Sequence, residues 1–226
     1  MRNEFIKNIN LLDKSKKELE CMFGTDFAMM KGYSQNNPHH CYDLLEHTLR
    51  AVAAIDCDKL SEDEAKELKI AALYHDVGKP KVAFEKNGKT VFYNHAIESR
   101  RIADRELRKF DLDDVVLNRI LFYIEYHDAF ISFKLPSEIK DKSSPFIIPI
   151  EKQTVSNKIN SIQKECAEKG HYIPTHKEFI VLLRLCLADV GAQSNEVFQN
   201  GILIDSKNMK VERLETIRKL IKLVNI

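Results

Sequence analysis

Four groups of histidine and aspartate stand where the surrounding pattern calls for apolar residues. Asp189 follows Leu182, Leu185 and Cys186 at steps of three or four, so it lies on the apolar stripe of a helix. His47 shares a stripe with Leu44, Ala51 and Ala54, and His75-Asp76 ends the face that carries Leu68, Ala71 and Ala72. His127-Asp128 ends a segment bearing Ile120 and Ile124 in the same way. A buried carboxylate without a partner costs several kcal/mol, so each must be protonated, paired or bound to a cation. Taken singly, each has a plainer explanation. His47 reads as a satisfied core histidine, Asp189 as a partner of Arg184 or a cap of another helix, His127-Asp128 as a wet helix end, and His95 as a polar residue at a helix start. His39, His40, His171 and His176 keep that plain reading. It is the set, drawn from several helices, that points to imidazole and carboxylate gathered around a divalent cation.

Helices must do the positioning. Apolar spacing predicts one over residues 4–22 (Phe5, Ile9, Leu12, Leu19), stopping near Gly24, and another from Tyr42 to Ile55. Ser61 with Glu64 forms a capping box for a third, which ends at Gly78-Lys79-Pro80, where Gly is expected to supply a left-handed cap. Further helices are expected at Ala96–Phe110, Asp113–Tyr126, about Pro149–Lys169, Thr175–Gln193 (boxed by Thr175 and Glu178) and Asn208–Val224. Residues 82–93 instead read as a small β-hairpin turning at Asn87-Gly88. The expected fold is all-α with that single hairpin. No repeat, low-complexity tract or linker divides the chain, so residues 1–226 are expected to form one domain.

Composition narrows the function classes. Of 226 residues, 44% are hydrophobic and 31% charged, with seven Gly and six Pro, an ordinary helix-favouring globular mix. A formal net charge of +1 provides no broad field for steering nucleic acid, which net charge does not indicate as a partner although a local basic patch leaves it open. Five cysteines, an odd number without CxxC spacing, read as small hydrophobes in a reducing compartment. The amphipathic start is unlike a signal peptide, and the apolar run Phe179–Leu183 is broken by Arg184, so a cytoplasmic protein without a membrane partner is expected.

The run Ala72-Leu73-Tyr74-His75-Asp76-Val77-Gly78-Lys79-Pro80 resembles the HDxGKP signature of the HD superfamily of metal-dependent phosphohydrolases. His47 in Leu45-Glu46-His47-Thr48-Leu49 resembles the upstream histidine of that family, and Asp189 in Leu185-Cys186-Leu187-Ala188-Asp189-Val190 its closing aspartate. The details are most similar to the HD domain beside bacterial CCA-adding tRNA nucleotidyltransferases. The shared features are an NPxHxYD-like lead-in (Asn37 to Asp43), His95-Ala96 and the run Ala188–Gln193. The likeness spans about residues 41–194, leaving 1–36 and 195–226 as helical extensions of unassigned role. The chain has no nucleotidyltransferase head with its Gly-Ser and paired aspartates, so tRNA end synthesis is not expected, and a free-standing HD domain is.

The resemblance implies that His47, His75, Asp76 and Asp189 hold one divalent metal. His95, His127 and Asp128 match positions used where the family holds two, with Asp76 as the bridge. Candidate metals are Mn, Fe, Ni, Co, Mg or Zn. Asp76 is then a catalytic candidate, and Lys79 a catalytic and substrate-binding one, its ammonium suited to a substrate phosphate although it also reads as a solvated helix end. Asn94, Arg100 and Arg101 are weaker substrate contacts. The implied reaction is hydrolysis of a nucleotide or related phosphoester by metal-activated water. A di-iron oxygenase and an idle nucleotide-binding regulatory module remain open alternatives.

Overall fold

The computed structural model describes residues 11–36, 41–86, 89–135, 139, 146–199, 202–205 and 207–225. A 3-10 turn (Leu11–Asp13) leads into α1 (Lys16–Phe23) and α2 (Thr25–Ala28). Then come α3 (Leu44–Ala53), α4 (Glu62–Tyr74), α5 (Lys79–Val82), the strands β1 (Phe84–Lys86) and β2 (Lys89–Val91), α6 (His95–Leu107) and α7 (Asp114–Tyr126). The two-residue strands β3 (Phe133–Lys134) and β4 (Ile148–Pro149) precede α8 (Lys152–Glu168) and α9 (His176–Ala192). The chain closes with β5 (Glu196–Gln199), β6 (Ile202–Asp205) and α10 (Lys207–Val224). The all-α expectation is met.

The helices start where the side chains can satisfy their first N–H groups. Asp43 accepts from Glu46 N and opens α3; Ser61 with Glu64 and Thr175 with Glu178 form the expected capping boxes of α4 and α9. The expected helix over residues 4–22 differs: within the described residues, Ser15 and Glu18 form another capping box, so α1 starts only at Lys16. Phe5 and Ile9 lie outside the described residues.

α9 is the central strut, packed against α3, α4, α7 and α10. Its Phe179, Leu182, Leu183 and Leu185 are fully buried, as are Leu68, Ala71 and Ala72 of α4. Burying one such large side chain is worth about 1.5–3 kcal/mol, so the shared face of these helices fixes their axes firmly. α6 lies on α7 and against α5.

The expected hairpin is present, with Phe84 opposite Val91 and Lys86 opposite Lys89; its turn residues Asn87 and Gly88 lie outside the described residues. Two further pairings were not expected: parallel β3/β4 and the antiparallel hairpin β5/β6. β3 and β4 are too short to show a period of two in the sequence.

The end of α4 also departs from expectation. Gly78 is right-handed (φ −80°), not a left-handed cap, and the chain turns through His75–Gly78 into α5 with Pro80 in its first turn, where no N–H is missed. Gly is needed there for space. A Cβ at position 78 would sit 2.6 Å from Ser99 N and 2.7 Å from His95 O, and Gly78 N donates to Ser99 Oγ at 2.9 Å. The HDxGK turn is thus pressed against the start of α6.

Candidate metal centre

That close approach brings two chain segments to one point. His75 and Asp76 sit at the C-terminal end of α4, and His95 opens α6, turned inward by Asn94, which adopts a left-handed conformation (φ 62°). His47 arrives from α3, His127 and Asp128 from the end of α7, and Asp189 from α9. All seven candidate ligands converge. His47, His75, Asp189 form one group, His75, Asp76, His127 a second, and His95, His127, Asp128 a third; within each, the candidate ligand atoms lie within 4.8 Å of one another.

Three histidines are oriented by the same local device. Nδ1 of His75 lies 2.7 Å from Ala72 O, that of His95 2.9 Å from Phe92 O, and that of His127 2.8 Å from Ile124 O. A carbonyl only accepts, so each Nδ1 carries the proton and donates it. In the neutral ring, Nε2 is therefore a lone pair aimed into the centre, which is how backbone carbonyls prepare metal-binding histidines. Nε2 of His95 and of His127 face each other at 3.2 Å. Two neutral rings so oriented repel unless a cation or a proton lies between them.

The carboxylates complete the set. Asp189 Oδ1 is 2.8 Å from His47 Nε2 and 3.5 Å from His75 Nε2. Asp76 is divided between two sides. Its Oδ2 faces His75 (3.2 Å), His47 (3.7 Å) and the Lys79 ammonium (2.6 Å); its Oδ1 faces His95 (3.3 Å) and His127 (3.6 Å). Asp128 Oδ2 stands 3.2 Å from His95 Nε2. His75 Nε2 and Asp76 Oδ1 are buried yet make no aligned hydrogen bond, the condition expected of groups shaped for a metal ion. The donor set of imidazole nitrogens and carboxylate oxygens, without thiolate, fits a divalent cation.

The electrostatics ask for positive charge. Burial lowers the pKa of His75, but Asp76 and Asp189 outweigh it and raise it to about 10; for His95, burial is likewise outweighed by Asp128 and Asp76, and its pKa rises to about 9. Burial opposes ionisation of Asp128, yet His127 and His95 hold its pKa down to about 2, and Asp76 and Asp189 are held well below the carboxylate range by their neighbours. Protons on the rings here stand in for a cation.

Lys79 is not a solvated helix end. It is buried, its Nζ bonded to Asp76 Oδ2 at 2.6 Å and to Gln35 Oε1 at 2.9 Å, and it lines the cleft above the centre. The three weaker substrate-contact candidates stand apart from the cleft lining. Arg100 points away from the cleft to Glu125 (2.9 Å), and Arg101 is spent on Glu98 on an exposed face of α6. Asn94 positions the backbone before His95 and is not among the lining residues. The lead-in residues Asn37, Pro38, His39 and His40 lie outside the described residues.

Several contributors carry no signal in a helical pattern. Gln35 holds Lys79, Ser99 holds Gly78, and the buried Cys186 donates to His127 O at 2.9 Å. Cys186 does lie one turn before Asp189, the one hint the sequence offers. The cleft has a volume of about 560 Å³, and α10 forms part of its wall. All five cysteines are free thiols, and among the described residues no helix is long and apolar enough to cross a membrane.

No curated protein matches the chain. Residues 39–148 match the family model described as an HD domain, a stretch that takes in His47 through Asp128 and stops short of Asp189. With the mostly helical fold and the buried histidine–aspartate cluster, that match supports placing the chain in the HD-domain superfamily, whose members are generally metal-dependent hydrolases.

Proposed function

We propose that the chain is a metal-dependent phosphohydrolase acting on a nucleotide or related phosphoester. The observation that carries this reading is the convergence of three Nε2 atoms, locked by backbone carbonyls, on three carboxylates for which Lys79 is the one permanent cation among the described residues. His47, His75, Asp76 and Asp189 would hold one ion, and His95, His127 and Asp128 a second, with Asp76 serving both. A bound divalent ion lowers the pKa of water (in zinc enzymes from about 15.7 to about 7) and so supplies hydroxide at neutral pH.

The chain's own residues do the rest. The carbonyls of Ala72, Phe92 and Ile124 keep three imidazoles in the tautomer that leaves Nε2 free. Lys79, held by Gln35, fixes the Asp76 carboxylate in its ionised form and presents a positive charge to the cleft, where it opposes the negative charge of a phosphoryl group. Tyr93 and Met209, both exposed, line the same cleft and offer an apolar face for a base.

The test is to load the protein with Mn, Ni, Co, Mg or Fe and assay cyclic nucleotides, dinucleoside polyphosphates and nucleoside phosphates. Metal-dependent phosphate release or ring opening is expected with at least one class, and Asp76→Ala should abolish it. Metal uptake without turnover of any of them would defeat the reading; oxygen consumption by the iron-loaded protein in place of hydrolysis would move the chemistry elsewhere.

A further inference from the structure

The cleft has a second wall that the metal centre does not use. Its floor carries Asp76, Asp128 and Asp189; its outer side is built by α10 and by Lys134 of β3. α10 lies beyond the stretch that matches the HD domain. Three cations from this wall, Lys134, Lys210 and Arg213, line the cavity, and among the described residues the wall itself contributes one carboxylate, Glu212.

The wall is fixed in place. Arg213 donates to Phe130 O (3.0 Å) and Phe133 O (3.1 Å), tying α10 to the turn that carries Lys134. Lys210 donates to Gln193 O at 2.6 Å, which uses one of its three N–H donors and leaves its charge uncompensated there. Burial and the nearby charge of Arg50 both push the Lys210 pKa down, as expected where cations lack an anion. The Lys134 carbonyl accepts from Ile150 N at 3.1 Å, which fixes the strand, while its ammonium makes no ion pair or hydrogen bond among the described residues. Gln193 comes four residues after Asp189, about 6 Å further along the chain axis at helical rise. Lys210 is therefore set one turn beyond the metal centre.

We propose that Lys134 and Lys210 receive a second, non-reacting phosphoryl group, so that the preferred substrate carries two: one at the histidine–aspartate floor and one against α10. This deepens the hydrolase reading and rests on it. Substrates of this class are nucleoside bisphosphates and polyphosphates, and simple monoesters would leave the wall empty.

The experiment is calorimetric binding of adenosine 3′,5′-bisphosphate and of AMP to the full chain, for the wild type, the double variant Lys134→Gln/Lys210→Gln, and Lys210→Arg. Gln at 210 can still donate to the Gln193 carbonyl, so it removes charge while keeping that bond, and melting curves check that each variant folds. The wild type is expected to prefer the bisphosphate by about tenfold or more, the scale of one charge-assisted hydrogen bond. The double variant should lose that preference, and Lys210→Arg should retain most of it. Equal affinity of the wild type for both probes, or an unchanged preference in the double variant, overturns the proposal. Binding is read without turnover, so failure of wild-type phosphate release counts against hydrolysis separately from failure of the bisphosphate preference.

Discussion

Two regions of this protein bury carboxylate beside histidine, and they solve the problem differently. Around Glu125, itself nearly buried, stand Arg100 Nε at 2.9 Å, Lys169 Nζ at 2.8 Å and His171 Nδ1 at 3.3 Å. The cations are supplied by the chain. Around Asp76, Lys79 is the one permanent cation among the described residues, facing three carboxylates and four imidazoles. The histidines report the contrast. His171 has its pKa lowered, by burial first and then by Arg100, whereas that of His75 rises to about 10 because Asp76 and Asp189 overcome burial. A histidine beside a carboxylate is thus no sign of a metal site by itself. What separates the two clusters is whether the positive charge needed to neutralise the carboxylates is already in the sequence.

The largest expected effect tests that distinction directly. Free divalent metal at about 100 times its Kd should stabilise the protein by about 2.7 kcal/mol, raising Tm by about 5–10 °C for a chain of this size. Asp76→Asn should remove most of that rise, and Glu125→Gln should leave it intact. Thermal melts with and without Mn decide the matter: an equal metal response in Asp76→Asn would break the comparison.

A second test acts on the approach of α6 to the HDxGK turn. Gly78→Ala places a methyl against the backbone of His95 and Ser99, which must shift. Overpacking of this kind typically costs about 1–3 kcal/mol. Because His95 moves with it, elemental analysis should show metal stoichiometry falling along with Tm. A loss of stability with full metal content would make the glycine purely structural.

These cases also show what the sequence could carry. The candidate ligands His47, His75, Asp76, His127, Asp128 and Asp189 were legible because they stand in or at the end of helix patterns, where a period of 3.6 assigns a face, and the family resemblance supplied His95. The capping boxes at Ser61 and Thr175 were legible by a local rule, and the Ser15–Glu18 box that shortens α1 obeys the same rule. Tertiary facts were not. Whether Gly78 serves a positive φ or a close approach depends on where α6 lies, and no local pattern reports that. Arg100 looked available for substrate because its partner, Glu125, is 25 residues away on another helix. The basic face of α10 becomes part of the cleft through the packing of Ile217 and Leu220 and through bonds from Arg213 and Lys210 to distant carbonyls.

At the satisfied cluster, Glu125→Gln should cost about 1–2 kcal/mol, since it strands Arg100 without its carboxylate and leaves Lys169 with Glu165 alone. Chemical denaturation measures this, and metal content should not change. A drop in bound metal would show that the two clusters are coupled along α7, which carries Glu125 and ends at His127.

The smallest effect concerns His171. Its folded-state pKa lies below the ordinary value of about 6.5, so the folded chain refuses a proton that the unfolded chain accepts. Stability from this group is therefore complete above about pH 6.5 and declines as pH falls toward the folded pKa, below which it changes no further. Water screens the site, so the effect should be only a few tenths of a kcal/mol. His171→Gln removes it: the Tm difference between wild type and variant should shrink or reverse from pH 8 to pH 5. A difference that instead grows in favour of the wild type on acidification would mean that His171 gains its proton on folding. The Glu125 carboxylate would then be short of positive charge after all, and the contrast with the Asp76 centre would fail on its own terms.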